Sequence, residues 1–280
     1  MIPIALTIAG SDSGGGAGIQ ADLKTFSALG VYGASVIAAL TAQNTRGVTG
    51  IHDVPPDFVT AQMDAVYSDL DIAATKIGML SQPSTIEAVA AGLDKHSAKN
   101  VVLDPVMVAA SGDRLLVREA EATLKRLLFP RALIVTPNLH EAAVLLEAPL
   151  AKNESEMREQ AQRIRAFGAR AVLLKGGHAD GPEAVDLFVD DKEEHRLVAA
   201  RHQTQNTHGT GCTLSSAIAA FLARGLPLLD AVTLAKNYVN AAIAAADQLS
   251  VGHGHGPVHH FHALWKHNKS GEGDDKAHPA

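Results

Sequence analysis

The chain has 280 residues, 46% hydrophobic but only 4% aromatic, and carries a net charge of −6. That is enough apolar material for a sizeable core packed by Ala, Val, Leu and Ile, and it excludes intrinsic disorder over most of the length. The acidic balance argues against nucleic-acid binding, which needs a basic surface.

The elements follow in order along the chain. The single cysteine, Cys212, has no disulfide partner and suits a reducing cytoplasm. No apolar run approaches the roughly 18 residues of a membrane span, and residues 1–9 lack the basic start of a signal peptide. Residues 4–9 are apolar except for Thr7, the pattern of a strand covered on both faces. Residues 18–29 carry Ile19, Leu23, Phe26 and Leu29 close to helical spacing, with Gly30 as a C-terminal cap. A strand is predicted at 32–40 and a helix at 56–70, striped by Phe58, Met63, Val66, Tyr67 and Leu70. Strands at 74–78, 100–104 and 132–136 alternate with helices at 83–96 and 114–128. Helices at 138–146 and 154–167 precede a strand at 171–175. Residues 184–189 and 194–200 flank the charged turn Asp190-Asp191-Lys192-Glu193 and read as an antiparallel hairpin on the sheet edge. Two Ala-rich helices, 209–224 and 227–249, are split by Gly225-Leu226-Pro227.

This alternation predicts an α/β fold of βαβ units: a mostly parallel central sheet with helices on both faces. One domain is expected over residues 1–266, followed by a disordered polar tail at 267–280. Seven of the 14 histidines lie in 253–280, which invites a metal reading. A turn at 252–257, with Val258, Phe261, Leu264 and Trp265 docking a short final segment, accounts for them better.

Three glycine-bearing loops fall at strand ends, where open α/β sheets bind ligands. Residues 10–18 (Gly-Ser-Asp-Ser-Gly-Gly-Gly-Ala-Gly) fit neither a P-loop, because Leu23 precedes Lys24-Thr25 where glycine is required, nor a dinucleotide fingerprint. They read as a flexible turn or as a place of close backbone approach to a small ligand. In Lys175-Gly176-Gly177-His178, a lysine ending a buried strand is placed to meet phosphate. Asn206-Thr207-His208-Gly209-Thr210-Gly211-Cys212-Thr213 opens a long helix, whose unpaired amides make an anion site. Cys212 falls in the first turn, where the helix dipole is expected to lower a thiol pKa. Alone it would read as an inert buried cysteine; following Gly-Thr-Gly it reads as reactive. Asp104 ends a strand, and Asn138 and Glu141 are three apart on a starting helix. This oxygen-rich group suits Mg²⁺, and Asn138 with Glu141 equally fits a capping box, a role compatible with metal binding.

Together these residues resemble the ribokinase-like superfamily, and within it the hydroxymethylpyrimidine/phosphomethylpyrimidine kinases of thiamine biosynthesis. The likeness runs through residues 8–22, Thr41-Ala42-Gln43-Asn44-Thr45, Lys76-Ile77-Gly78-Met79-Leu80, Asp104-Pro105-Val106, residues 136–141, residues 206–213 and Gly254-His255-Gly256-Pro257-Val258. The resemblance implies a three-layer fold, cytoplasmic location, a homodimer, and two ATP- and Mg²⁺-dependent phosphorylations. The first acts on the hydroxymethyl group of 4-amino-5-hydroxymethyl-2-methylpyrimidine, and the second converts the monophosphate to the diphosphate. It further implies that Gln43 reads the pyrimidine edge in a pocket lined by Gly10, Asp22, Met79 and Val106. Lys175, Gly176 and Thr210 would meet the nucleotide phosphates, and Asp104, Asn138 and Glu141 the metal. Gly209, Gly211 and Cys212 would serve the transfer, Cys212 standing where most superfamily relatives carry aspartate and acting as the base. A pyridoxal-type kinase, or activity on both substrates, is the near alternative. A non-catalytic ligand-binding protein on the same fold is the distant one.

Overall fold

The computed structural model describes residues 2–107, 118–177 and 183–265. The expected tail and His178 lie outside these residues. Among the described residues nine strands form one sheet in the order β3-β2-β1-β4-β5-β6-β7-β8-β9. They are β1 (Ile4–Gly10), β2 (Tyr32–Asn44), β3 (Gly47–Asp53), β4 (Ile72–Ile77), β5 (Val101–Leu103), β6 (Ile134–Val135), β7 (Ala171–Lys175), β8 (Glu183–Val189) and β9 (Glu194–Ala200). β2, β1, β4, β5, β6 and β7 run parallel; β3 pairs antiparallel with β2, and β8 and β9 form the expected antiparallel hairpin beside β7.

Among the described residues eight α-helices cover the sheet: α1 (Gly18–Ala28), α2 (Pro56–Tyr67), α3 (Pro83–Lys95), α4 (Arg118–Leu127), α5 (Leu139–Leu146), α6 (Glu154–Arg165), α7 (Thr210–Ala223) and α8 (Leu228–Ala244). Side chains alternate across each strand, so the sheet separates two cores. Val172 and Leu174 of β7 join the core under α2–α6, whereas Ala171 and Leu173 join the core under α1, α7 and α8. Leu6 and Ile8 against Ala5 divide in the same way in β1.

Two departures from expectation have physical causes. β3 was not anticipated, and β2 runs on to Asn44, because Gly47–Asp53 holds two glycines and lies exposed at the sheet edge, so neither apolar alternation nor burial marks it. In the last segment Val258 is fully buried, but Leu264 and Trp265 stay exposed. Trp265 instead stacks on Phe261, with ring centroids 5.0 Å apart.

One ion pair is built into this framework. Lys76 on β4 is fully buried and donates to both oxygens of buried Asp22 on α1, at 2.9 and 2.8 Å. Asp22 also accepts from Thr7 and Ser216, each at 2.6 Å. Burial works against the ammonium, but Asp22, Cys212 and Asp104 together outweigh it and hold Lys76 above its usual range. Asp22→Ala, by leaving this charge unpaired, is expected to cost about 3–5 kcal/mol, and an Asp22→Leu/Lys76→Met double substitution to recover much of that. Urea unfolding of both variants checks this.

Candidate functional site

The parallel strands deliver their C-terminal ends to one side of the sheet, and a cavity of about 710 Å³ lies along them. Its lining runs from Gln43 on β2 to Ala199 and Ala200 on β9, with Val239 and Ile243 of α8 adding apolar wall. Of the residues singled out from sequence, Gly10, Gln43, Met79, Asp104, Val106, Asn138, Glu141, Lys175, Gly209, Thr210, Gly211 and Cys212 all face it.

Two do not. Asp22 is fully buried and spent on Lys76, so it supports the pocket without lining it; Lys76 lines it instead. Gly176 is likewise absent from the lining. Its amide donates to Asp186 at 3.0 Å, and a Cβ there would overlap the Val185 carbonyl, so this glycine serves strand packing.

At one end Gly10 lies against Met79: a Cβ at position 10 would come to 2.7 Å from the Met79 methyl. Thr41 and Gln43 emerge from the same strand, and Thr41 Oγ1 lies 3.2 Å from Gln43 Oε1. The centre is the N-terminus of α7. Gly209 has φ +78°, and any Cβ would overlap the carbonyl of Gly16, so only glycine lets the two glycine loops meet. Thr210, Gly211 and Cys212 of the first turn of α7 line the cavity, with the Thr210 amide donated to the Thr207 carbonyl at 3.2 Å, so the helix start meets the cavity where an anion site would need it.

Cys212 sits in that turn, but the expected lowering of its thiol pKa is reversed. Cys212 lines the cavity and is half-buried, and burial pushes its thiol up to about 11. Lys76 and the Gly18 amide pull the other way, while the negative charges of Asp22 and Asp104 add to the rise. Dipole position alone did not reveal these neighbours.

Beyond Cys212 the site is charged. Asp104 accepts from Lys175 at 3.1 Å and from Thr136 at 3.0 Å, with Ser215 at 3.3 Å. Lys175 Nζ stands beside Gly211, where a Cβ would be 3.3 Å away. Asn138 and Glu141 form a complete capping box: the Asn138 amide donates to Glu141 at 2.8 Å, and the Glu141 amide donates to Asn138 Oδ1 at 2.9 Å. Burial raises the Glu141 carboxyl to about 7; Lys175 opposes the rise and Asp104 adds to it. Among the described residues no group of three or more His, Cys, Asp and Glu is arranged to hold a metal ion. Two converging carboxylates, one of them reluctant to ionise, nevertheless fit a cation that completes its shell with water and phosphate, as Mg²⁺ does.

Sequence reasoning overlooked three further pairs. His208 Nε2 lies 2.9 Å from Asp12, Lys236 donates to Asp186 at 2.7 Å, and His202 Nε2 lies 3.0 Å from Asn240 Oδ1. A lysine inside the apolar run of β4 was the one local sign of the Lys76 ion pair; the others join residues too far apart in sequence to be paired by spacing.

Comparison with known proteins agrees with this geometry. The sequence model of the phosphomethylpyrimidine kinases matches residues 12–259. The hydroxymethylpyrimidine/phosphomethylpyrimidine kinase of Rhizobium meliloti is 62% identical over 266 residues, covering 95% of this chain and 100% of the relative. The crystal structure of phosphomethylpyrimidine kinase from Clostridium difficile matches with a TM-score of 0.77 at 45% identity, over 87% of this chain and 100% of its own. Bacillus subtilis pyridoxal kinase, solved as an ADP complex, matches with a TM-score of 0.88 at 36% identity, over 95% and 100%.

Glu141 makes stability depend on pH in a definite direction. Its folded value lies above the ordinary 4.5. The unfolded chain therefore releases this proton first, and the Glu141 contribution falls as pH rises from about 4.5 to about 7. Glu141→Gln is expected to lose this fall, so its stability relative to the parent protein rises across that window. Denaturant midpoints at pH 5 and pH 7 measure it.

Proposed function

The chain belongs to the phosphomethylpyrimidine kinase family, and from that premise we propose that one cavity performs two phosphoryl transfers from ATP. The first goes to the hydroxymethyl group of 4-amino-5-hydroxymethyl-2-methylpyrimidine, and the second to the resulting monophosphate. The observation that carries this reading is the N-terminus of α7, with Cys212 in its first turn, between the Gln43 end and the Lys175–Asp104–Glu141 end of the cavity.

The residues divide the work by chemistry. Gln43 offers an amide donor and acceptor to the ring nitrogen and exocyclic amine, and Gly10, Met79 and Val106 supply surface for the flat ring. Lys175 and Thr210 meet the phosphates of ATP; the apolar far wall suits the base. Asp104 and Glu141 would hold Mg²⁺, with Asn138 fixing Glu141 through the capping box. When bound, that ion neutralises phosphate charge. The amides around Gly209 and Gly211 stabilise the negative charge on the transferred group, which the fixed dipole of α7 favours without reorganisation.

In the first transfer the substrate hydroxyl oxygen bonds to the γ-phosphorus, the bond to the ADP oxygen breaks, and the hydroxyl proton passes to the Cys212 thiolate. With a thiol near 11, only about one molecule in 10⁴ holds the thiolate at pH 7. In the second transfer the nucleophile is an ionised phosphate oxygen that needs positioning more than a base. A cytoplasmic homodimer belongs to the same proposal; the family resemblance supports it, and among the described residues no helix is long and apolar enough to cross a membrane.

The test of function is ATP consumption with the pyrimidine alcohol, its monophosphate and pyridoxal supplied separately. Turnover with the first two is expected, and turnover with pyridoxal alone would overturn the reading. For Cys212, single-turnover rates of the first transfer should climb about tenfold per pH unit below 11, while the second stays flat. Cys212→Ala should abolish that slope and slow the first transfer by about 10²–10⁴-fold. Equal slowing of both steps would make Cys212 a shaper of the anion loop.

A further inference from the structure

One ring nitrogen of His208 touches both the first glycine loop and the residue that reads the substrate. His208 Nε2 lies 2.9 Å from Asp12 Oδ2 and 3.4 Å from the Gln43 side-chain amide. The Asp12 carboxylate can only accept. Burial disfavours its charge, but His208 and the amides of Ala17 and Gly14 hold it ionised. The hydrogen therefore sits on Nε2, and Nε2 can meet only an acceptor on Gln43.

The Gln43 amide has two end-for-end orientations. With Nε2 toward His208, two N–H groups face each other at 3.4 Å, and the single hydrogen of Thr41 Oγ1 must serve both Gln43 Oε1 at 3.2 Å and the Ser11 carbonyl at 2.8 Å. Turned by 180°, Gln43 Oε1 becomes the longer arm, at 3.4 Å, of a three-centre bond from the His208 Nε2–H that Asp12 accepts at 2.9 Å, Thr41 donates to Ser11 alone, and Gln43 Nε2 donates to the freed lone pair of Thr41. Only the turned arrangement leaves no donor facing a donor. It keeps one N–H and one carbonyl lone pair of Gln43 for a ligand, in a fixed order along the cavity wall.

We propose that His208 is a specificity-determining positioning residue: by donating from Nε2 it locks the Gln43 amide, and so selects a heteroaromatic ring whose edge carries an amine donor beside a ring-nitrogen acceptor. An edge with that order reversed is rejected. The 4-oxo counterpart of the aminopyrimidine alcohol is such a ring, because its ring nitrogen carries the hydrogen and its exocyclic oxygen accepts. This inference rests on the proposed pyrimidine kinase activity.

The experiment compares kcat/KM for the 4-amino and 4-oxo pyrimidine alcohols, with the KM for ATP alongside, in the parent protein, His208→Ala, His208→Gln and Thr41→Val. The parent protein should prefer the amine by about ten- to a hundredfold, the range of a mispaired buried hydrogen bond. His208→Ala frees the amide to turn, and the preference should fall about tenfold with the KM for ATP unchanged. His208→Gln, whose side-chain N–H can stand in for Nε2–H, should restore it. Thr41→Val removes the partner of Gln43 Nε2 while leaving the buried Asp12–His208 pair intact, and should also lower the preference, so the result does not depend on His208→Ala folding. If His208→Ala and Thr41→Val slow both substrates equally, the proposed role is overturned. A parent protein active on the amine but indifferent to its replacement by oxygen overturns this inference alone. A parent protein inactive on the pyrimidine alcohol overturns the function on which it rests.

Discussion

The Asp12 carboxylate is the point on which the site is assembled. It accepts from the amides of Gly14, Gly16 and Ala17 at 2.8, 3.0 and 2.8 Å, and its Oδ2 lies 2.9 Å from His208 Nε2. A concave run of backbone amides is an anion-binding feature, and here the chain supplies the anion itself. The glycine-rich loop is thereby held in one shape, with its Gly14, Gly16 and Ala17 amides already occupied. It is drawn toward the start of α7, where Gly209 packs on Gly16. The start of α7 lines the cavity beside this loop, and Asp12 decides how the loop sits against it.

Charge is managed by pairing at three places. Asp22 lies beneath the cavity and its partner Lys76 lines it, while both members of Lys175–Asp104 and of Lys236–Asp186 line it. In each pair the aspartate cancels much of the lysine's field. The resulting balance explains why a thiol at a helix N-terminus is harder to ionise than usual: the nearby cation is matched by carboxylates, and burial then prevails. Burial likewise raises the Glu141 carboxyl to about 7, with Asp104 adding to the rise and Lys175 opposing it.

Much of this was legible in the residues. The continuous apolar runs of β1, β5 and β7 marked strands buried on both faces, and the Asn138–Glu141 spacing marked a helix start whose capping box is present as expected. What escaped notice was carried by long-range pairing. Asp22 read as a pocket residue because its chemistry is polar and its motif familiar; only its distance to Lys76, 54 residues away, reveals that it is consumed. Gly176 looked like a phosphate loop because glycine after a strand-end lysine suits one, whereas the need comes from the neighbouring strand. β3 was hidden because an exposed edge strand needs no apolar periodicity. The thiol pKa was misjudged because helix position is a local property and burial is not.

The clamp around Thr45 has a consequence for how the molecule is made. His255 donates its amide to the Thr45 carbonyl at 2.9 Å, Gly254 donates to Thr45 Oγ1 at 3.1 Å, and Gly256 donates to Asn206 at 3.0 Å. The loop that carries Gln43 and Asn44 is thus tied down by residues more than two hundred positions later, on the far side of every βαβ unit. As the chain emerges from the ribosome, its strands can begin to pair while the loops around Gln43 and His208 still lack their last partners. Competence therefore arrives late in synthesis and as a unit, and a nascent chain halted short of Gly254 would carry a nearly finished sheet with an unfinished pocket.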